Sequence, residues 1–152
     1  MRALVAADAA EVARLIRLAF AQLAASVDPP PSALGESAQS VAAVLARGGG
    51  AGIAAGGALV AVVLWQEKPP GLYLGRLAVH PDHRRRGHAR ALLAAAEAAA
   101  RAGGHRVLWL STRLALEDNR SLFAACGFAE GARHAHPGHA APTFVDMQKR
   151  LD

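Results

Sequence analysis

The amino-acid sequence predicts a mixed α/β fold, an α+β arrangement in which helices layer against one sheet. Three observations carry this. Leu72, Leu74, Leu77 and Val79 form an apolar run that Pro81-Asp82 breaks, and Arg90-Ala91-Leu92-Leu93 then starts an alanine-rich helix that Gly103-Gly104 ends. Two strand patterns, residues 52–55 and 59–65, flank Gly56-Gly57, a strong hairpin signal. Two further segments near the N-terminus repeat apolar residues at helical spacing. At 152 residues the chain is long enough to bury a real core and is read as one domain over residues 1–152.

The elements follow in order. Residues 3–5 read as a short strand, and Asp8 is placed to cap a helix carrying Val12, Leu15, Ile16, Ala19 and Phe20 on one face. Asp28-Pro29-Pro30-Pro31-Ser32 cannot be helix interior and predicts a stiff loop. A second helix over residues 36–47 turns Val41, Val44 and Leu45 inward before Gly48-Gly49-Gly50. After the hairpin, Lys68-Pro69-Pro70-Gly71 turns the chain into the strand of Leu72. Residues 107–110 make a buried strand, and Glu117-Asp118-Asn119 cap a short helix over residues 120–126. Strands at residues 128–134 and 143–150 close a last hairpin across the loop of residues 135–142. Trp65 and Trp109 are expected in the core.

Composition narrows the function classes. The formal charge of +5 raises nucleic acid as a partner, yet fifteen of the seventeen basic residues are arginines spread along the chain, with only Arg84, Arg85 and Arg86 clustered. That distribution suits the phosphates of one nucleotide better than a polyanion. No stretch of eighteen apolar residues and no charged-then-apolar leader is present, so the expectation is a soluble cytoplasmic protein without membrane contact. Cys126 is the only cysteine, expected to be a small buried helix residue.

The turn Arg84-Arg85-Arg86-Gly87-His88-Ala89 delivers a strand into a helix N-terminus, where free N–H groups and the positive dipole end bind phosphate. Gly87 lets phosphate oxygens approach the main chain without a Cβ in the way. This hexapeptide resembles the signature of the Gcn5-related N-acetyltransferases: arginine or glutamine, two residues, glycine, one residue, then glycine or alanine. Leu77-Ala78-Val79-His80-Pro81 looks like the strand leading into that signature. Asn119 to Phe128 (NRSLFAACGF) looks like the family's second landmark, an asparagine followed by a short helix and Gly-Phe. The similarity covers residues 51–151 well and residues 1–47 more loosely.

The resemblance implies the acyl-CoA N-acyltransferase fold, a central, mostly antiparallel sheet flanked by helices, and transfer of acetyl from acetyl-CoA to an amine. It implies a pyrophosphate held by Arg84, Arg85, Arg86, Gly87, His88, Ala89 and Arg90, with arginine side chains toward the 3′-phosphate. It places Leu77 and Ala78 along the pantetheine arm, with the amide of Val79 freed by a strand bulge to bind the acetyl carbonyl, and Asn119 and Phe123 beside the cofactor. The expected acceptor is a primary amine, taken to be a small molecule, and a homodimer is left open.

The proton-transfer residues depart from the family. Phe123 stands where many relatives carry the tyrosine that protonates the leaving thiolate, and Tyr73 and Gly75 occupy the usual place of a basic glutamate. Tyr73, Glu117 and the histidines of Arg133-His134-Ala135-His136-Pro137-Gly138-His139 are the remaining candidates, with His136 the expected base. Alternate histidines suit zinc, but no cysteine or acidic neighbour completes a site, and no metal is expected. A silent acetyl-CoA-binding module and an arginine-rich nucleic-acid binder are the competing readings.

Overall fold

A computed structural model describes all of residues 1–152. In chain order it contains β1 (Arg2–Ala3), α1 (Ala9–Ala21), α2 (Ala38–Arg47), β2 (Gly49–Ala55), β3 (Ala58–Lys68), β4 (Gly71–Val79), α3 (His88–Ala102), β5 (Val107–Arg113), α4 (Glu117–Ala125), β6 (Ala129–His134) and β7 (Phe144–Arg150). The strands form one seven-stranded sheet in the order β1-β2-β3-β4-β5-β7-β6. Every adjacent pair is antiparallel except β4 and β5. The last strand therefore enters between β5 and β6, and the hairpin it closes lies at the sheet edge.

Alternation of side chains divides the core in two. Val62 and Leu64 of β3 face α1 and α2, meeting Val12, Ile16 and Val41. Ala61 and Val63 face the other way with Leu92, Leu93 and Ala96 of α3. Both helical layers are amphipathic and bury their apolar stripes against opposite sides of one sheet. No helix is long and apolar enough to cross a membrane.

A bulge in β4 re-aims the half of that strand beyond it. Leu64 pairs with Arg76 but Trp65 pairs with Leu74, which leaves Gly75 as the extra residue. Leu72 and Leu74 before it, and Leu77 and Val79 after it, consequently share the α3 face, although their numbers change parity. The same shift turns Ala78 to the α1 face, where it is buried.

Several boundaries differ from those expected. The first strand is Arg2–Ala3, because the Asp8 carboxylate takes the Val5 N–H at 2.8 Å and removes Val5 from the ladder. Asp8 thus sits at the N-cap position of α1 without capping it; its other partner is Arg2, 2.8 Å away. Glu36 does not open α2. Ser37 caps that helix through the Ser40 N–H, while Glu36 pairs with Arg76 at 3.2 Å. Of the glycines after α2, Gly48 is the helix C-cap and Gly49 and Gly50 open β2; Cβ atoms at Gly48 and Gly50 would meet the Trp65 and Val63 carbonyl oxygens at 2.0 and 2.6 Å. The strand β5 continues past Leu110 to Arg113, held by β7 along its whole length. The helix α4 starts at Glu117, so Asn119 lies inside it instead of capping it, and Cys126 is its partly exposed C-cap. Trp109 lies outside both core clusters, donating its indole N–H to the Lys68 carbonyl at 2.9 Å.

Candidate active site

The β4–β5 pair opens like a fork. The two strands pair only where Leu72–Leu74 meets Leu108–Leu110, although β4 continues to Val79 and β5 to Arg113. On its other side β4 stays paired with β3. His80 donates its N–H to the Val60 carbonyl at 2.7 Å, and alternation through the unshifted register from Ala61↔Val79 to Leu64↔Arg76 puts Ala78 and Arg76 on that same bonded side. The main-chain groups of Leu77 and Val79 therefore turn into the fork, and those of Ala78 do not. Ala78 is corrected from a main-chain partner of a ligand to a core residue.

The turn entering α3 is an array of free donors. No N–H of residues 84–90 donates a hydrogen bond within the protein; the first helical bond is Ala91 N–H to the Gly87 carbonyl, and no side chain caps α3. The amides of residues 88–90 are the ordinary orphans of a helix start, and those of residues 84–87 extend that run of free donors along the exposed turn. Arg85 and Gly87 both adopt left-handed backbone, with φ of +62° and +79°, which curls the amides into a concave array suited to an anion. A Cβ at Gly87 would meet nothing within 4 Å, so it would project into the open space over the turn. The three arginines are not equivalent. Arg84 reaches back to the Ala19 carbonyl at 3.4 Å and ties the turn to the end of α1. Arg86 stands 3.4 Å from the His83 ring nitrogen, and Arg85 makes no side-chain hydrogen bond. Arg90 lies 3.7 Å from Cys126 Sγ.

A cavity of about 350 Å³ fills the fork and brings Tyr73, Leu77, Asn119, Phe123 and His136 to one place. Val79 and Ala78 do not line it, so of the two fork-facing residues Leu77 is the one at the cavity. The Tyr73 ring stands 4.5 Å from Trp109, its hydroxyl free of partners, with Lys68 Nζ 4.7 Å above its centroid. Phe123 is a core residue as well as a cavity wall, set edge-on to Phe128 at 6.1 Å. Glu117 is exposed on α4 and does not line the cavity, which removes it as a base.

The far end of the cavity joins two loops. Arg113, the last residue of β5, donates to the carbonyls of Pro29 and Pro30 at 2.7 and 3.2 Å, and His139 lies 3.4 Å from Asp28. The proline-rich loop and the β6–β7 loop are thereby held against each other. Each histidine of that loop has its own partner: His134 meets Asp146 at 2.8 Å, His139 meets Asp28, and His136 pairs its Nδ1 with the Thr143 hydroxyl. They do not converge, and no three His, Cys, Asp or Glu side chains form a metal-binding group. His136 also packs 4.8 Å from Phe144. Burial, then the charges of Arg113 and His139, hold its imidazole below the ordinary histidine pKa. Ser111, another cavity residue, donates to Asp146 at 2.7 Å, so the Asp146 carboxylate is shared between Ser111 and His134.

A forked parallel strand pair beside an amide-lined anion cradle defines the class of acyl-CoA N-acyltransferases. Residues 15–128 match the acetyltransferase (GNAT) family, and the chain belongs to that family, whose chemistry is acetyl-CoA-dependent N-acetylation. A Gcn5-related N-acetyltransferase from Rhodopseudomonas palustris superimposes with a TM-score of 0.79 at 22% identity, over 99% of this chain and 94% of that one. The PaiA N-acetyltransferase of Thermoplasma acidophilum, in complex with coenzyme A, gives 0.75 at 16% identity, over 99% and 100%. The ribosomal-protein-S18-alanine N-acetyltransferase of Escherichia coli gives 0.71 at 22%, over 98% and 91%. No curated protein sequence matches the chain.

Proposed function

We propose that this chain transfers the acetyl group of acetyl-CoA directly to a primary amine of a small-molecule acceptor. The seven free amides of residues 84–90 carry the reading, since they fit a pyrophosphate that a helix N-terminus and a concave turn stabilise together. Arg85 and Arg86 supply side-chain cations for the 3′-phosphate, whereas Arg84 is committed to Ala19. Leu77 and Val79 present main-chain groups to the pantetheine arm as a neighbouring strand would. Bound there, acetyl-CoA supplies an activated acyl carbon and a thiolate leaving group whose conjugate acid has an ordinary thiol pKa.

The amide of Leu77 donates to the acetyl oxygen, taking the role first assigned to Val79, because Leu77 lines the cavity and Val79 does not. Asn119 contributes a polar amide at the same end of the cavity, and Tyr73 orients the acceptor. His136, neutral through burial, accepts the proton that the amine loses as its nitrogen bonds the acyl carbon. Phe123 has no proton to give, so the thiolate departs without a side-chain acid at that position.

The test is thiol release from acetyl-CoA across a diverse amine library. Release with one acceptor class supports the transferase. Phe123 and the absence of any cavity-lining carboxylate favour one second reading, a silent acetyl-CoA-binding module, and tight acetyl-CoA binding without thiol release from any amine would establish it.

A further inference from the structure

We infer that the acceptor carries a carboxylate, which Arg113 binds, so that the substrate class is a free amino acid or a small derivative retaining its acid group. This rests on the transferase reading above. The cavity is lined by three cationic side chains and by no Asp or Glu. Two of the cations are already matched: Arg76 pairs with Glu36 at 3.2 Å, and Lys68 lies over the rings of Tyr73 and Trp109 at 4.7 and 5.6 Å. Arg113 differs from both.

Its two hydrogen bonds go to the neutral carbonyls of Pro29 and Pro30, and it has no salt-bridge partner. Asp28 acts on it through space, but that carboxylate is 89% exposed and lies against His139. A guanidinium has five N–H donors, so three of Arg113 remain without a partner, in a partly buried position where an unmatched cation is costly. A carboxylate on those donors would supply the missing charge with the paired geometry that suits a guanidinium. The two carbonyl bonds fix the guanidinium in place before any ligand arrives.

The rest of the cavity fits the same ligand. Phe20, Ala33 and Phe144 give the acceptor's body an apolar wall, and the cations of Lys68 and Arg113, with no acidic group in the lining, disfavour an ammonium and keep the bound amine in its neutral, nucleophilic form. A polyamine finds no carboxylate to hold its distal charge. The main chain of a peptide N-terminus brings an amide where Arg113 calls for an anion.

The experiment compares L-phenylalanine, L-leucine and L-methionine with their amides and decarboxylated amines as acceptors, reading thiol release, with acetyl-CoA affinity measured separately by calorimetry. The expected result is a preference of about 10² in kcat/KM for the acids, the size of one desolvated charged hydrogen-bonded contact. Arg113→Gln should bring that acid-to-amide ratio to within a few-fold without changing acetyl-CoA affinity, and Arg113→Lys should retain part of the preference. Wild-type enzyme that does not separate the series overturns the inference, as does an Arg113→Gln variant that loses acids and amides equally, which would make Arg113 a tether for the proline-rich loop. If no acceptor of any series reacts or binds while acetyl-CoA binds normally, the carboxylate assignment fails and the cofactor site stands. Failure of acetyl-CoA itself to bind would instead remove the transferase reading beneath it.

Discussion

At the scale of single residues, Gly87 and His136 make the most distinct demands. Gly87 has φ of +79° and open space where a Cβ would stand, so a side chain there would occupy the room a pyrophosphate needs. Gly87→Val should weaken coenzyme A binding more than tenfold, about 1.4 kcal/mol or more, by calorimetry on protein whose melting curve shows it folded. Unchanged affinity would place the phosphates elsewhere. For His136, replacement by alanine should lower turnover by about 10² with coenzyme A affinity intact. Its pH limb lies below that of an ordinary histidine. Burial and Arg113 disfavour the charged ring, so the neutral base persists below the ordinary histidine pKa, and activity should already be flat between pH 7 and 8. A rate still climbing over that interval would assign the base to another group. The same depressed pKa means His136 favours the fold above pH 6.5 and loses that contribution as pH falls.

At the scale of elements, the bulge at Gly75 decides where the site can form. A Cβ at Gly75 meets only the Tyr73 ring, at 3.7 Å, so Gly75→Ala should fold with a melting temperature within a few degrees of wild type. Deleting Gly75 should still give a folded protein, because Leu77 and Val79 then alternate in step with Leu72 and Leu74, but it should remove the bulge and weaken coenzyme A binding at the fork. A deletion variant that binds coenzyme A as tightly as wild type would show that the bulge is dispensable to the site. This element was partly legible in advance: the parity switch from Leu72 and Leu74 to Leu77 and Val79, around a glycine, is the signature of a bulge. The expected strand, turn and helix around the cradle are present because alternation, proline and glycine act locally. The fork is different. It depends on β5 following β7 away from β4, a pairing between segments more than thirty residues apart that no local pattern encodes. The tether of Arg113 to Pro29 and Pro30 was hidden for the same reason.

At the scale of the whole molecule, one sheet with helices on both faces supports a site at the fork between its two halves. Acid sensitivity should follow from carboxylates drawn down by their partners. The Asp8 carboxyl is held at about 2, first by its hydrogen bond from Arg2 and then by the Val5 N–H, and Glu97 and Glu130 lie below their ordinary values through Lys149 and Arg120 respectively. Such groups stabilise the fold above the unfolded carboxylate pKa and lose that contribution as pH falls through the folded value. Asp8→Asn should therefore lower the melting temperature by a few degrees at pH 7, with the gap from wild type closing as pH approaches 2. A gap that stayed constant with pH would contradict the assignment.

The central claim is that the free amides of the turn into α3 and of the fork in β4 hold acetyl-CoA, and amide chemical shifts read those donors one by one. Titrating isotopically labelled protein with coenzyme A should move the N–H resonances of residues 84–90 most, together with those of Leu77 and Val79, and leave Ala78 less changed because its N–H is already bonded to β3. Saturating shifts confined to other parts of the sheet, with residues 84–90 unmoved, would contradict it.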